Sequence, residues 1–140
     1  MPDSSLIDAA ILAKLVNDAT LSALLPDGVW MDEAKQGAQR FVIVSLIQEF
    51  DEGEFGGRAF EDALYLVKAV ALATTGADVK TAAARIDTLL EDQPLTATGY
   101  TWMATFREER VRFTEVDGVD PSIRWQHRGG RYRVQFSVGS

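Results

Sequence analysis

Residues Phe41 to Ile47 read Phe-Val-Ile-Val-Ser-Leu-Ile, apolar at six of seven positions. A run so short and so apolar predicts a strand covered on both faces, and so the centre of a sheet. The next eight residues, Asp51 to Arg58, hold three glycines and three acids, which predicts a long hairpin loop. Ala59 to Thr74 returns as a second strand, with Leu64, Leu66, Val70 and Leu72 on one period-2 face and Lys68 interrupting it; its alanines would also suit a helix. After the Gly76-Ala77 break, Asp78 is placed to cap a helix with apolar positions Val79, Ala82, Ala83, Ile86, Leu89 and Leu90. Pro94 sets the end of that helix near Asp92. Strand, hairpin, strand and helix together predict a single α+β domain over residues 1–140.

The flanks complete the plan. Leu6, Ile7, Ala10, Ile11 and Leu15 fall at helical spacing behind Ser5-x-x-Asp8, a capping-box variant, so a first helix runs from about Ser5 to Asn17. Asp18 or Thr20 caps a further turn carrying Leu21, Leu24 and Leu25, and Pro26-Asp27-Gly28 ends it. Val29 to Met31 predicts a short strand and Asp32 to Gln39 a loop. Tyr100 to Phe106 and Val111 to Phe113 are strand material, with Arg107-Glu108-Glu109-Arg110 marking a bulge or exposed end. Val116 to Pro121 is a loop, and Tyr132, Val134, Phe136 and Val138 alternate with polar residues in a closing strand after a Gly129-Gly130 bend.

Charge excludes more than it assigns. The net charge of −7 divides into −9 over residues 1–106 and +2 over residues 107–140. An acidic surface argues against specific or general nucleic-acid binding, which draws its affinity from phosphate neutralisation. The absence of cysteine excludes disulfides and thiolate chemistry and suits a reducing cytoplasm. Met1 to Asp8 lacks the pattern of a signal peptide, and no run approaches the roughly 18 apolar residues of a membrane span. The expectation is therefore no export by that route and no membrane partner.

Candidate chemistry is sparse. The sole histidine, His127, lies between Gln126 and Arg128 in what reads as a polar, exposed turn, not a catalytic centre. Asp51, Glu52 and Glu54 lack the ligand alternation of a calcium loop, and Thr74 to Thr81 lacks the first glycine and the Gly-Lys-Ser/Thr core of a phosphate loop. The neighbouring pairs Glu61/Asp62 and Glu108/Glu109 would point to opposite strand faces, and read as solvent-facing or subunit-contact residues. Arg124, Arg128, Arg131 and Arg133, with Trp125 and Tyr132 between them, form one basic aromatic cluster suited to a protein interface. Its acidic counterpart on a neighbouring copy is Asp51, Glu52, Glu54 and Glu61, with Phe55 and Arg58 in the same contact. No catalytic residue, cofactor or metal is expected.

Several stretches taken in order resemble the tail completion, or tail terminator, family of long-tailed bacteriophages. Ile11-Leu12-Ala13-Lys14-Leu15 and Leu21 to Val29 are similar to its opening helix, second turn and first strand; Phe41-Val42-Ile43-Val44 resembles its central strand, with Arg40 where that family often has proline. The helix Asp78 to Leu90, the strand near Val111 to Phe113, the Asp117-Gly118 turn and Arg131-Tyr132-Arg133-Val134-Gln135-Phe136 follow in its order. The resemblance implies a mainly antiparallel β-sheet with a long hairpin, packed by two α-helices on one side. It also implies a non-enzymatic virion protein, assembled in the host cytoplasm as a homo-oligomeric, hexameric ring. Such a ring caps the tail tube at the head-tail junction, meeting the tail tube protein and the head-tail connector or stopper, with genome DNA passing through it. Another head-tail neck component is the alternative, and a small cytoplasmic enzyme or anion-binding domain using Arg124 to Arg133 a further one.

Overall fold

The computed structural model describes residues 5–54, 57–73 and 78–138, and for residues 50–59 and Val138 the backbone alone. Helix α1, Ser5–Val16, turns Ile7, Ala10, Ile11 and Leu15 into the core. Its stripe is the one the spacing predicts. Asp18 then adopts an extended backbone and caps the short helix α2, Ala19–Leu24, accepting from the Leu21 amide at 2.9 Å. Asp8, the acidic member of the expected capping box, accepts the Tyr65 hydroxyl across the core. Buried hydroxyls need a partner, and a carboxylate outcompetes a neutral acceptor.

Gly28 takes the left-handed backbone, with φ of 100°, in the turn that leads into β1, Val29–Met31. Beside it the Asp27 carboxylate accepts from the Gln39 and Arg40 amides at 2.9 and 3.0 Å. That clamp returns the chain after the loop of residues 32–39 so that β2, Arg40–Glu54, lies parallel to β1. Strand β3, Gly57–Leu72, pairs antiparallel with β2 through Glu54↔Gly57, so the hairpin loop expected over Asp51 to Arg58 is ladder nearly to its tip. A two-stranded ribbon needs only backbone pairing, and its polar, glycine-rich composition hid that. Phe55 lies outside the described residues.

The sheet order is β1-β2-β3-β5-β4, with β4 spanning Tyr100–Val116 and β5 Arg124–Val138. The centre is therefore β3, not the Phe41 to Ile47 strand. Only Val42, Ile43 and Val44 of that run are buried, while Leu46 and Ile47 are 40% and 42% exposed. A bulge between Leu46 and Gln48 interrupts the alternation there. Strand β4 is continuous through its charged stretch, with bulges between Trp102 and Ala104 and between Arg107 and Glu109. Strand β5 likewise runs straight through Gly129-Gly130 instead of bending before them. A Cβ on Gly129 would lie 2.1 Å from the Val67 carbonyl oxygen, so the glycine permits a close approach of β5 to β3.

All the helices pack on one face. Helix α3, Val79–Leu90, is capped by the Asp78 carboxylate, which accepts from the Lys80 and Thr81 amides at 3.0 and 3.2 Å. The expected Gly76-Ala77 break lies outside the described residues. Val79, Ala82, Ile86 and Leu90 are buried, while Ala83 and Leu89 sit at the margin, half-buried. The sheet meets the helices with Ala63, Tyr65, Val67, Ala69 and Ala71 of β3 and Tyr132, Val134 and Phe136 of β5. Small alanines let the helices come close and the aromatics fill the space between. Leu64, Leu66, Val70 and Leu72 occupy the opposite face of β3. The result is α+β, a mostly antiparallel five-stranded sheet covered by helices on one side.

Candidate interaction surfaces

Strand alternation divides the basic cluster between two surfaces. Arg131 and Arg133 project onto the helix-free face, where the bulge in β4 brings Glu109 and Glu108 to the same side. Arg133 is held by Glu108 at 2.5 Å and Asp62 at 2.6 Å, and Arg131 by Glu109 at 3.2 Å. The two carboxylates over Arg133 raise its pKa further. Glu108 and Glu109 thus share a face, contrary to the simple two-residue period, because the bulge breaks it.

Glu61, expected at a surface, is 1% exposed and accepts the Tyr100 hydroxyl at 2.7 Å. Its neighbour Asp62 is drawn to Arg133 and Gln135. All three tyrosines of the chain donate to carboxylates: Tyr65 to Asp8, Tyr100 to Glu61 and Tyr132 to Asp87 at 2.8 Å. Burial, then the neighbouring carboxylate, raises the pKa of Tyr65 and Tyr132. Two of these bonds tie α1 and α3 to the sheet.

The helix-free face carries an aromatic cleft of about 390 Å³ near its Trp125 end. Trp125 packs on Phe41 with centroids 6.1 Å apart, and Phe113 stacks on His127 at 4.3 Å. The Lys68 ammonium sits 5.1 Å from the Phe113 centroid. His127 is 8% exposed, not in an exposed turn: Gln126 and Arg128 point to the other face, so their polarity said nothing about its surroundings. Its Nε2 lies 2.9 Å from Glu115, yet burial outweighs that carboxylate and lowers the imidazole pKa. Burial also lowers the pKa of Lys68. Phe113 remains 45% exposed and Phe106 37%.

On the helix side, α3 and the β4–β5 ribbon enclose an open groove of about 560 Å³. Lys80, Arg107, Arg110, Arg112 and Arg128 line it, with Asp87 as the acidic member. Arg107 reaches Asp87 at 2.8 Å. Arg112 and Arg128 stand directly opposite in the β4–β5 register. Sequence reasoning missed Arg110 and Arg112, which lie far from Arg128 along the chain and meet it only through strand pairing. Asp51, Glu52, Glu54 and Arg58 fall on the end of the β2–β3 ribbon, at the opposite end of the sheet from the groove. Arg124, exposed, begins β5 opposite Val116.

Among the described residues no group of three or more His, Asp or Glu is gathered so as to hold a metal, and no helix is long and apolar enough to cross a membrane. No protein-family model matches the chain, and no curated protein matches it significantly. Among solved structures, a chain titled "Virion of native gene transfer agent (GTA) particle" is similar over 96% of both chains, at 22% identity and a TM-score of 0.67. A second solved chain, 14% identical, is similar over all of this chain and 98% of its own, at a TM-score of 0.59. At these identities the likeness establishes the shared fold.

Proposed function

We propose that this chain is a structural virion subunit that closes the tail tube of a phage-like particle as a ring and joins it to the head connector. The observation that carries this reading is the end-to-end likeness, 96% of both chains, to a chain of a gene transfer agent virion. The likeness runs across nearly the whole fold, 96% of both chains, and not across one shared motif. The order of elements that resembles the tail terminator family supports the finer role. So does the distribution of charge, because ring closure joins two unlike patches of one subunit. Its partners would be further copies of itself, the tube protein and a connector protein, and its place the virion at the head-tail junction.

The test is the mass of the purified chain, alone and with the tube protein, by native mass spectrometry and sedimentation. We expect closed oligomers of the 15.4 kDa subunit, six per ring, and retention on one end of assembled tubes by gold labelling. A subunit that stays monomeric with tube protein present and decorates neither tube end would defeat the reading. Binding to the connector but never to the tube would move the chain to another neck position.

A further inference from the structure

The groove between α3 and the β4–β5 ribbon holds positive charge that the fold does not neutralise. Among the described residues no carboxylate lies within ion-pairing distance of Arg110, Arg112 or Arg128, whereas Arg85, Arg107 and Arg131 each have one and Arg133 has two. Arg112 and Arg128 are moreover a directly opposed pair in an antiparallel ladder. Like charges at that position destabilise the sheet. The fold therefore retains a locally unfavourable arrangement, in a chain of net charge −7, at the rim of an open groove of about 560 Å³. An anionic occupant would turn that repulsion into attraction.

The sequence of the β2–β3 ribbon is strongly acidic toward its end, with Asp51, Glu52 and Glu54 within four residues. Among the described residues the last pair of β5 with β3 at this end is Phe60↔Ser137, while β2 and β3 go on pairing with each other to Glu54↔Gly57. Asp51, Glu52 and Glu54 lie on this arm of the ribbon. The arm cannot enter the groove of its own subunit. Gly57 is separated from Val67, which pairs with Gly130 beside the groove, by a length of strand of roughly 33 Å, and the arm points away from it. Any contact between the two must join different copies, and a contact between unlike patches is the kind that closes a ring.

We propose that the groove lined by Lys80, Arg110, Arg112 and Arg128 receives the acidic arm, residues 51–54, of a second copy. The inference rests on the ring reading above and specifies its contact. Arg131 and Arg133, already held by carboxylates of their own subunit, act within the subunit, and buried Glu61 takes no part.

The test is a reciprocal charge reversal on the full chain. The variant Arg110→Glu/Arg112→Glu and the variant Asp51→Lys/Glu54→Lys are each expected to weaken self-association by roughly a hundredfold or more, since like charges then face each other at the contact. Mixed, they should reassemble, because each arm then meets a groove of opposite sign, and native mass spectrometry should show alternating rings. Folded variants that assemble like the wild type, or whose mixture stays monomeric, overturn the proposal. If the first variant loses its circular dichroism, Arg110→Gln/Arg112→Gln repeats the test, and unweakened assembly again overturns it. A short DNA duplex is the control: assembly unchanged, with loss of duplex binding in the groove variant, would make nucleic acid the occupant and overturn the arm. A wild type that never oligomerises, alone or with tube protein, fails the ring reading itself; a wild-type ring indifferent to these charges fails only this contact.

Discussion

Gly129 offers the sharpest test of the sheet, because its replacement by alanine meets backbone and not a movable side chain. An added Cβ would lie 2.1 Å from the Val67 carbonyl oxygen, 2.5 Å from the Lys68 Cα and 2.9 Å from the Lys68 Cβ. Contacts under 3.0 Å are essentially never seen, so β3 and β5 must separate by about 1 Å at this point, straining the ladder bonds on either side. Overpacking of this kind costs about 1 to 3 kcal/mol, and the rigid neighbour puts G129A at the upper end, near 3 kcal/mol. For a chain of this size that is a fall in Tm of about 10 °C. G130A meets the flexible Arg107 Cδ and the Glu109 carbonyl, both at 2.9 Å, and should cost about 1 kcal/mol. G118A meets nothing within 4 Å and should lie within about 0.5 kcal/mol of the wild type. Thermal melts and urea titrations of the three proteins give the order directly. A G129A protein as stable as G118A would mean that Lys68 and Gly129 are not paired, and the register of β3 on β5 would have to be abandoned.

Further outcomes follow from the packing and the titrating groups. Ile86→Ala, at a fully buried site, should cost about 2 to 5 kcal/mol in urea unfolding, and half-buried Leu89→Ala clearly less; the reverse order would mean that α3 is rotated on the sheet. His127, as the only histidine, gives one imidazole NMR signal, whose titration midpoint should fall below the ordinary value of about 6.5 because burial disfavours the charged ring. Its folded pKa being the lower one, its contribution to stability is complete above about pH 6.5 and is lost as pH falls through the folded value. A midpoint above 6.5 would show Glu115 prevailing over burial. The amides of Gln39 and Arg40 depress the Asp27 pKa, so its contribution is complete above about pH 4 and lost as pH falls through the folded value. Asp27→Asn should flatten stability against pH in that range, and an unchanged acid limb would remove the clamp at the start of β2.

What the sequence revealed, and what it concealed, divides along the range of the interactions. Helices α1 and α3 could be read because their signals are local: Asp78 sits beside the amides it caps, and Ile86 and Leu90 repeat within one element. The alternation of Tyr132, Val134 and Phe136 was legible for the same reason. His127 was misread because its environment comes from Phe113 on the adjacent strand, not from Gln126 and Arg128. Glu61 looked like a surface acid because Tyr100, which makes its burial tolerable, is 39 residues away. The four arginines of β5 read as one cluster, although two are neutralised by β4 carboxylates that a bulge alone brings into reach.

That neutralisation also relocates the electrostatics of the subunit. Summed along the chain, residues 107–140 carry +2, which suggests a general attraction over the whole C-terminal region. With Arg131 and Arg133 held on the helix-free face, the arginines of this region without an ion pair among the described residues include Arg110, Arg112 and Arg128, which line the groove on the other side. The groove floor is already tied in place: Tyr132 donates to Asp87, and Arg107 pairs with the same carboxylate. The floor is thus fixed before association, and ordering on binding falls on Lys80, Arg110, Arg112 and Arg128 alone. Exposed ion pairs contribute only about 0 to 1 kcal/mol each, so charge alone cannot hold a ring together. In the proposed ring its part would be to steer the approach and fix the register, and salt would then act on the rate of assembly more than on the persistence of an assembled ring.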